Sequence, residues 1–499
     1  MRLDRLVKLH PSTQRELQSF KLRQMIRKHV YPFSPHYRAL FDQHGIKPEQ
    51  INSVEDLRRL PFTTKADLIT KGENDPGYRN MILQPSPELI KKHWPLSKKL
   101  GLLMRGLISG KAAVKQRLQD EYKPVWFTAT TGRSAEQVLF FYTPWDITNL
   151  AQSGRRLMKI VGCNPDTDRV INIFPYAPHL AYWQTYYAAL ASRALAVSTG
   201  GGKVTPTLAH IKLIQRIKPA VLVGVPSYTC HLLRCAVEEG ATFTGLQRIV
   251  LGAEKVPAGM KERMLEMLGK LGCEPDKMFI MGTYGFTEAK RAWAEWPGTM
   301  QQESSGYYTW PDMDYFEVIN PDTGEHVDEG ETGELVYTSL DARGSVVLRY
   351  RTGDIAVGGM TLNAPCPHSG WRVPRINTTI TRSSNQKDVQ LTKVKGTLVN
   401  LDAVAHVLMG SKEIEEWAVE IRKVGGDRFG LDEVVLYAAA ADGHTPDDEL
   451  KRLLSDRMTQ ASEITPNVII FHSLREMIEK IGLETEMKEK RFFDTRPTD

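Results

Sequence analysis

An α/β protein is predicted, with a large N-terminal body of parallel-rich sheets and flanking helices and a smaller α+β C-terminal domain. Three observations carry this. Between 124 and about 290, short apolar runs (Val170–Phe174, Leu195–Val197, Ala220–Val225, Arg248–Leu251, Met278–Met281) alternate with stretches of helical spacing (146–161, 180–193, 206–217, 227–239, 257–271). Such alternation implies parallel strands joined by crossover helices. From about 310 to 380 the texture becomes strand and turn, as in Tyr315–Ile319, Gly333–Tyr337 and Val346–Tyr350, which reads as a small β subdomain. Beyond 383 comes a mixed tail, with helical spacing near 401–409 and 446–460 and a strand near 467–472. A chain of 499 residues is too long for one ordinary core, so several domains are expected.

The elements follow in order. Over 10–45, Leu17, Phe20, Leu22, Met25, Ile26 and Val30 recur at helical spacing until Pro32 and Pro35 break the pattern, predicting two helices. Pro61-Phe62-Thr63-Thr64-Lys65 reads as a turn feeding a helix. Residues 75–123 read as an insertion: the stretch is basic, amphipathic and interrupted by glycine (Leu102, Leu103, Leu107, Ile108), and fits an inserted cap or a surface helix pair. The N-terminal body is placed at 1–382, with its β subdomain at 310–380, and the C-terminal domain at 383–499.

Composition narrows the function classes. The chain is 41% hydrophobic and 25% charged. No segment approaches the roughly 18 to 20 apolar residues of a membrane span. Met1-Arg2-Leu3-Asp4-Arg5 leads into no apolar stretch, so no signal peptide is expected. Five scattered cysteines suit a reducing cytoplasm better than a disulfide framework. The net charge of +6 is mild for this length, and the basic clusters lack interleaved aromatics, so no nucleic-acid partner is expected. A mildly basic cleft would suit an anionic substrate.

Three segments carry chemistry. Thr128-Ala129-Thr130-Thr131-Gly132-Arg133-Ser134 follows the apolar run Val125-Trp126-Phe127. Small hydroxyl residues and a glycine let backbone N–H groups surround a polyanion, and Arg133 adds a fixed charge. In Tyr284-Gly285-Phe286-Thr287-Glu288, Thr287 can meet a phosphate, Glu288 can ligate Mg²⁺ through a carboxylate oxygen, and Tyr284 offers an aromatic face. In Tyr350-Arg351-Thr352-Gly353-Asp354, Asp354 can accept two ribose hydroxyls. Each segment alone also fits an ordinary turn. Cys366-Pro367-His368 is too small a donor set for a structural zinc site, and no structural metal is expected.

Taken together, in this order, the segments resemble the nucleotide site of the acyl-adenylate-forming superfamily, and more narrowly the phenylacetate–CoA ligase family. Ser34-Pro35-His36-Tyr37-Arg38, Leu60-Pro61-Phe62-Thr63-Thr64-Lys65, Val225-Pro226-Ser227-Tyr228, Gly252-Ala253-Glu254 and Glu331-Thr332-Gly333-Glu334-Leu335 add to the likeness. The resemblance implies that Thr130, Thr131, Gly132 and Arg133 grip the triphosphate of ATP. It implies that Gly252, Ala253 and Glu254 line the adenine. Tyr284, Gly285 and Thr287 would border the adenine and α-phosphate, Glu288 would hold Mg²⁺, and Asp354 the ribose. Arg375 and Arg382 fall where the family has further nucleotide contacts near the hinge. His179 lies where related enzymes place a residue over the substrate carboxylate. Lys488, with Lys490 second, would be the lysine of the C-terminal segment that reaches the acid and α-phosphate.

The implied activity is activation of an aromatic or other hydrophobic carboxylic acid to an acyl-adenylate. Thioester formation with coenzyme A would follow, with 383–499 as a mobile lid. The alternatives are an adenylyltransferase, acyl transfer to an amine or carrier protein, and a nucleotide-binding relative without catalysis. A homodimer is compatible with all of them. The chain departs from the family at Arg133, which stands for a lysine, and at Arg382-Ser383-Ser384-Asn385-Gln386-Lys387-Asp388, which lacks the family's glycine before the arginine and its adjacent aspartate pair. An Arg keeps the charge but changes reach and geometry.

Overall fold

The computed structural model describes residues 1–70, 77–130, 137–256, 258–296, 304–382, 393–394, 397–398, 401–424, 431–462, 465–485 and 489–496. They divide into two compact units. The first comprises Met1–Asp168, Ala177–Ala196 and Met281–Thr381, and the second Arg169–Tyr176, Val197–Ile280 and Arg382–Asp499. By this division the C-terminal residues share a unit with part of the α/β body.

In the first unit, the helix Pro11–Met25 runs into a π-turn at Ile26–Val30 and a short turn at Tyr31–Phe33. The break comes at Ser34, whose extended backbone precedes a proline and whose hydroxyl accepts from the Tyr37 N–H, opening the helix Pro35–Gln43. This is where the prolines predict it: a proline disfavours helical backbone just before itself and fits the first helical turn. The predicted β subdomain is an antiparallel sheet in the order Asp314–Ile319, Gly333–Ser339, Tyr350–Ala356, Ile380–Arg382. Its first two strands are buried almost throughout, and its aromatics join a core with Trp293, Trp310 and Tyr308.

The helix Pro144–Val161 starts from a reciprocal cap between Thr143 and Asp146 and ends at Gly162 in the left-handed region. Asp146 does more than cap. It is fully buried, pairs with Lys290 Nζ at 2.9 Å, and accepts from the backbone N–H groups of Arg343 (3.0 Å) and Gly344 (2.7 Å). Burial alone would raise its carboxyl; Lys290 and the backbone donors outweigh burial and hold it below the ordinary range.

The stretch read from sequence as an insertion contains the helix Pro87–His93 and the long helical segment Leu96–Tyr122, broken at Gly110 (φ 81°, ψ 166°). A Cβ placed on Gly106 would lie 3.6 Å from Val114 Cγ2, so the second arm folds back along the first. Of the two readings the sequence allows, the structure has the helix pair.

In the second unit, parallel strands Arg169–Asn172, Val221–Gly224 and Arg248–Leu251 lie side by side, with Leu195–Ser198 beyond the first. The helices Thr207–Ile217, Pro226–Glu238 and Ala258–Lys270 follow the crossover pattern the sequence predicts. The C-terminal residues add a sheet in the order Val468–Phe471, Asp432–Ala440, Ile414–Lys423, Phe492–Asp494, with helices Leu401–Met409, Asp448–Ser462 and Leu474–Ile481. Ion pairs tie the two parts of this unit: Arg234 to Glu415 at 3.2 Å, Arg263 to the same Glu415, and His231 to Glu484 at 2.9 Å.

Candidate active site

The strand Phe279–Phe286 and the strand Arg291–Ala294 form a hairpin whose turn is Thr287–Ala289. Lys290 closes the turn with a left-handed backbone (φ 59°), and its ammonium reaches the buried Asp146 described above. Gly285 sits opposite Ala292, where a Cβ would come within 2.7 Å of the Ala292 methyl, so only glycine fits. The returning strand is fixed from below by Asp314, which accepts from Arg291 Nη1 (3.0 Å), Trp293 Nε1 (2.9 Å) and Tyr337 Oη (3.1 Å). The turn bearing Glu288 is therefore anchored on its C-terminal side by two buried ion pairs.

The strand Tyr350–Ala356 meets this hairpin through two reciprocal hydrogen bonds. Tyr284 Oη donates to Asp354 Oδ2 at 2.8 Å, and Tyr350 Oη donates to Glu288 Oε1 at 2.8 Å. Each element thus gives one tyrosine donor and one carboxylate acceptor. Gly353 takes a left-handed backbone (φ 72°). Thr352 Oγ1 accepts from the Asp354 N–H (3.0 Å) and donates to Leu335 O (2.8 Å), which turns the strand at that point and aims Asp354. The Tyr284 ring stacks on Trp293, with centroids 5.9 Å apart. The structure thus brings together Tyr284, Gly285, Thr287, Glu288 and Asp354, five of the residues singled out in the sequence.

Also in the first unit, His179 Nδ1 lies 3.0 Å from Ala129 O, and the Ala129 N–H donates to Pro178 O at 2.6 Å. A carbonyl only accepts, so Nδ1 carries the proton. Thr130 closes the base of its loop, its N–H on Val138 O and its hydroxyl accepting from the Val138 N–H. Thr131, Gly132 and Arg133 lie outside the described residues. Arg375 is buried, and its guanidinium donates to the carbonyls of Ser305 (2.9 Å) and Ala364 (3.0 Å), a role in holding loops. Arg382 ends the strand Ile380–Arg382, and its side chain is outside the described set.

Gly252, Ala253 and Glu254 belong to the second unit, after the strand Arg248–Leu251. Ala253 is left-handed (φ 74°), and the Glu254 carboxylate accepts from the Ser227 N–H at 3.2 Å, at the start of the helix Pro226–Glu238. Glu254 lines a pocket with Pro175, Lys203, Tyr228, Glu484 and Glu489. Burial, then the charge of Glu489, pushes Glu254 up to about 7. Behind it, His210 bridges Tyr228 Oη (2.9 Å) and Thr199 Oγ1 (2.5 Å), and burial brings the His210 imidazole down to about 4. Lys488 lies outside the described residues. Lys490 Nζ lies over the Phe493 ring, 5.1 Å from its centroid. The adjacent Arg491 is half-buried, bonded to Glu489, Glu416 (2.7 Å) and Trp417 O (3.1 Å), and anchors this segment.

Sequence reasoning missed the Asp146–Lys290 pair, the Asp314 anchor and the donor role of Tyr350. Tyr350 had a visible signal, since it opens the motif that contains Asp354. The two anchors had none, because their partners lie far apart in the chain.

The family model described as an AMP-binding enzyme matches residues 145–342. The chain is 27% identical over 346 residues to the phenylacetate–coenzyme A ligase of Thermus thermophilus, an alignment covering 68% of this chain and 65% of that protein. It is 27% identical to the enzyme of the same name from Aromatoleum evansii, covering 68% of this chain and 66% of that one. The matched region thus spans just under two thirds of these relatives' length. Among solved structures, 2-hydroxyisobutyryl-CoA ligase in the postadenylation state with 2-HIB-AMP superposes with a TM-score of 0.72 at 20% identity, over 99% of this chain and 92% of that one. The same ligase with 2-HIB-AMP and CoA in the thioesterification state gives 0.60, over 98% and 91%. The fold is that of these ligases, and residues 145–342 carry the match to the AMP-binding enzyme family.

Proposed function

We propose that this chain is an AMP-forming acid–thiol ligase, which activates a carboxylic acid with ATP and passes the acyl group to coenzyme A. The reciprocal bonding of Tyr284 with Asp354 and of Tyr350 with Glu288 carries the reading. Tyr284 fixes the rotamer of Asp354 so that its carboxylate can accept ribose hydroxyls, and stacks an aromatic wall beside them. Tyr350 fixes the rotamer of Glu288. Mg²⁺ keeps most of its shell from waters and substrate phosphates and needs only one or two protein carboxylates. Glu288 fits that demand, and no cluster of three or more metal-ligating side chains occurs among the described residues. Bound there with ATP, Mg²⁺ would offset phosphate charge.

In the first half-reaction a carboxylate oxygen attacks the α-phosphorus and pyrophosphate leaves. Two anions meet, so preorganised donors and a basic side chain, Lys488 in this reading, lower the barrier. Thr130, Thr131, Gly132 and Arg133 hold the leaving phosphates. Thr287 stands at the α-phosphate, and His179, with its proton on Nδ1, faces the acid. Gly252, Ala253 and Glu254 border the base, and Arg382 serves the nucleotide near the hinge. In the second half-reaction the coenzyme A sulfur, having lost its proton, attacks the acyl carbon and AMP leaves. Residues 383–499 turn between the two steps as a lid.

The acid is aromatic or otherwise hydrophobic, a reading supported by relatives named phenylacetate–coenzyme A ligase. All five cysteines are free, which suits the cytoplasm. The test is acid-dependent ATP–pyrophosphate exchange across aryl, fatty and amino acids, followed by AMP release with and without coenzyme A. Exchange with no dependence of AMP release on coenzyme A would transfer the assignment to a different acceptor, and no exchange with any acid would overturn it.

A further inference from the structure

The helical hairpin of the insertion is not used by the proposed chemistry, and its surface is unusual for a protein of this composition. On the first arm, Leu96, Leu100, Leu103 and Leu107 repeat at helical spacing, with Met104 and Ile108 beside them. Their exposure runs from 53% to 81%. Successive residues turn by about 100°, so these six cover one continuous face of an arm roughly 20 Å long. The opposite side carries Leu102, which packs against the core of the first unit, as does Leu118 of the returning arm. The hairpin is therefore seated through one side and presents an apolar stripe on the other. Single exposed leucines are ordinary; a stripe of six is not.

The charge around that stripe has one sign. From 89 to 119 the chain contains eight Lys and Arg residues and no Asp or Glu. Arg105, Lys111, Lys115 and Arg117 are exposed on the hairpin itself. An apolar helix face whose charged neighbours from 89 to 119 are all basic, with Asp120 and Glu121 at the far end of the returning arm, has the composition of a helix that lies in a lipid interface: the apolar side chains enter the acyl boundary and the cations meet anionic headgroups. A second copy of this chain fits poorly, because a two-fold contact through this face would set like charges against each other. The described residues contain no helix long and apolar enough to cross a membrane, and the arm is far shorter than a span.

We propose that the hairpin Leu96–Tyr122 docks the protein on the surface of an anionic lipid bilayer. The apolar stripe Leu96 to Ile108 inserts to the depth of the headgroup boundary, and the basic side chains contact lipid phosphates.

The test is flotation of the full-length protein with vesicles of phosphatidylcholine alone and of equal parts phosphatidylcholine and phosphatidylglycerol. The anionic vesicles should carry the protein and the zwitterionic ones should carry far less. The triple variant Leu103→Ser, Leu107→Ser, Ile108→Ser should lose flotation while keeping its helical content and its ATP–pyrophosphate exchange. Arg105→Glu with Lys111→Glu should weaken binding to anionic vesicles by at least roughly tenfold. Failure of the parent to float with anionic vesicles would overturn the proposal. So would unchanged flotation of the triple variant. Lipid-independent self-association of the parent that the triple variant abolishes would assign the face to a second copy instead.

Discussion

Two carboxylate clusters in this molecule are built on opposite principles. In the first unit, Asp146, Asp314, Glu288 and Asp354 each have a donor of their own: an ammonium, a guanidinium or a tyrosine hydroxyl. In the second unit, Glu254 accepts from the Ser227 N–H and faces a second carboxylate, Glu489, which is itself bonded to Arg491. A dedicated donor at close range locks a carboxylate's geometry, and Lys290 holds Asp146 below the ordinary range although burial raises Asp314, while a like charge raises one of a pair toward neutrality. The carboxylates of the first unit are therefore each held by a donor of their own, as the proposed nucleotide site requires. The pocket of the second unit can change its protonation near neutral pH.

The comparison can be broken most directly at its buried pair. Lys290→Met leaves Asp146 charged and without its cation in the core, and should cost about 3–5 kcal/mol of stability. Urea denaturation measures this, and a cost below about 1 kcal/mol would mean that the pair does not hold the turn. Asp354→Ala should leave the fold intact and raise KM for ATP, consistent with loss of about 1.5–3 kcal/mol of charged hydrogen bonding to ribose. An unchanged KM would remove Asp354 from the site. Tyr350→Phe should cost only about 0.5–1.5 kcal/mol in kcat/KM, because Glu288 stays in place but loses its orienting donor. The same loss at saturating and limiting Mg²⁺ would argue against a role through the ion.

The second unit gives the finest test. Glu254 has a folded pKa of about 7 against an ordinary 4.5. Between these values the folded state binds the proton that the unfolded state has released. This group's contribution to stability is thus complete below 4.5 and lost as pH rises through about 7. Glu489→Gln removes the second cause of the rise after burial. It should flatten the decline of the urea midpoint from pH 4.5 to 7 relative to the parent. An identical slope in the two proteins would show that burial alone sets the Glu254 pKa.

The contrast between the clusters also marks what was legible in sequence. Glu288 and Asp354 could be singled out because each sits in a short motif whose turn needs particular residues: Gly285 against Ala292, and Gly353 with a left-handed backbone after Thr352. The proline break at 32–35 and the crossover helices were readable for the same local reasons. Arg375 shows the limit of motif position, since its guanidinium is engaged by two loop carbonyls in the first unit. The insertion could be read as basic and amphipathic, but both a cap and a helix pair fitted it until Gly110 was seen to turn the chain back.

The alternation of strands and helices, the β-rich stretch, the family resemblance and the residue types of the three motifs could all be read from the chain. These depend on periodicity and on backbone preferences a few residues long. Folding in three dimensions pairs Tyr284 with Asp354 and Tyr350 with Glu288, sets Lys290 against Asp146, and brings Glu254 to Glu489. The partners in the first three pairs are 70, 62 and 144 positions apart. Strong coupling between charges needs contact at a few ångströms and burial from water, and folding alone supplies both.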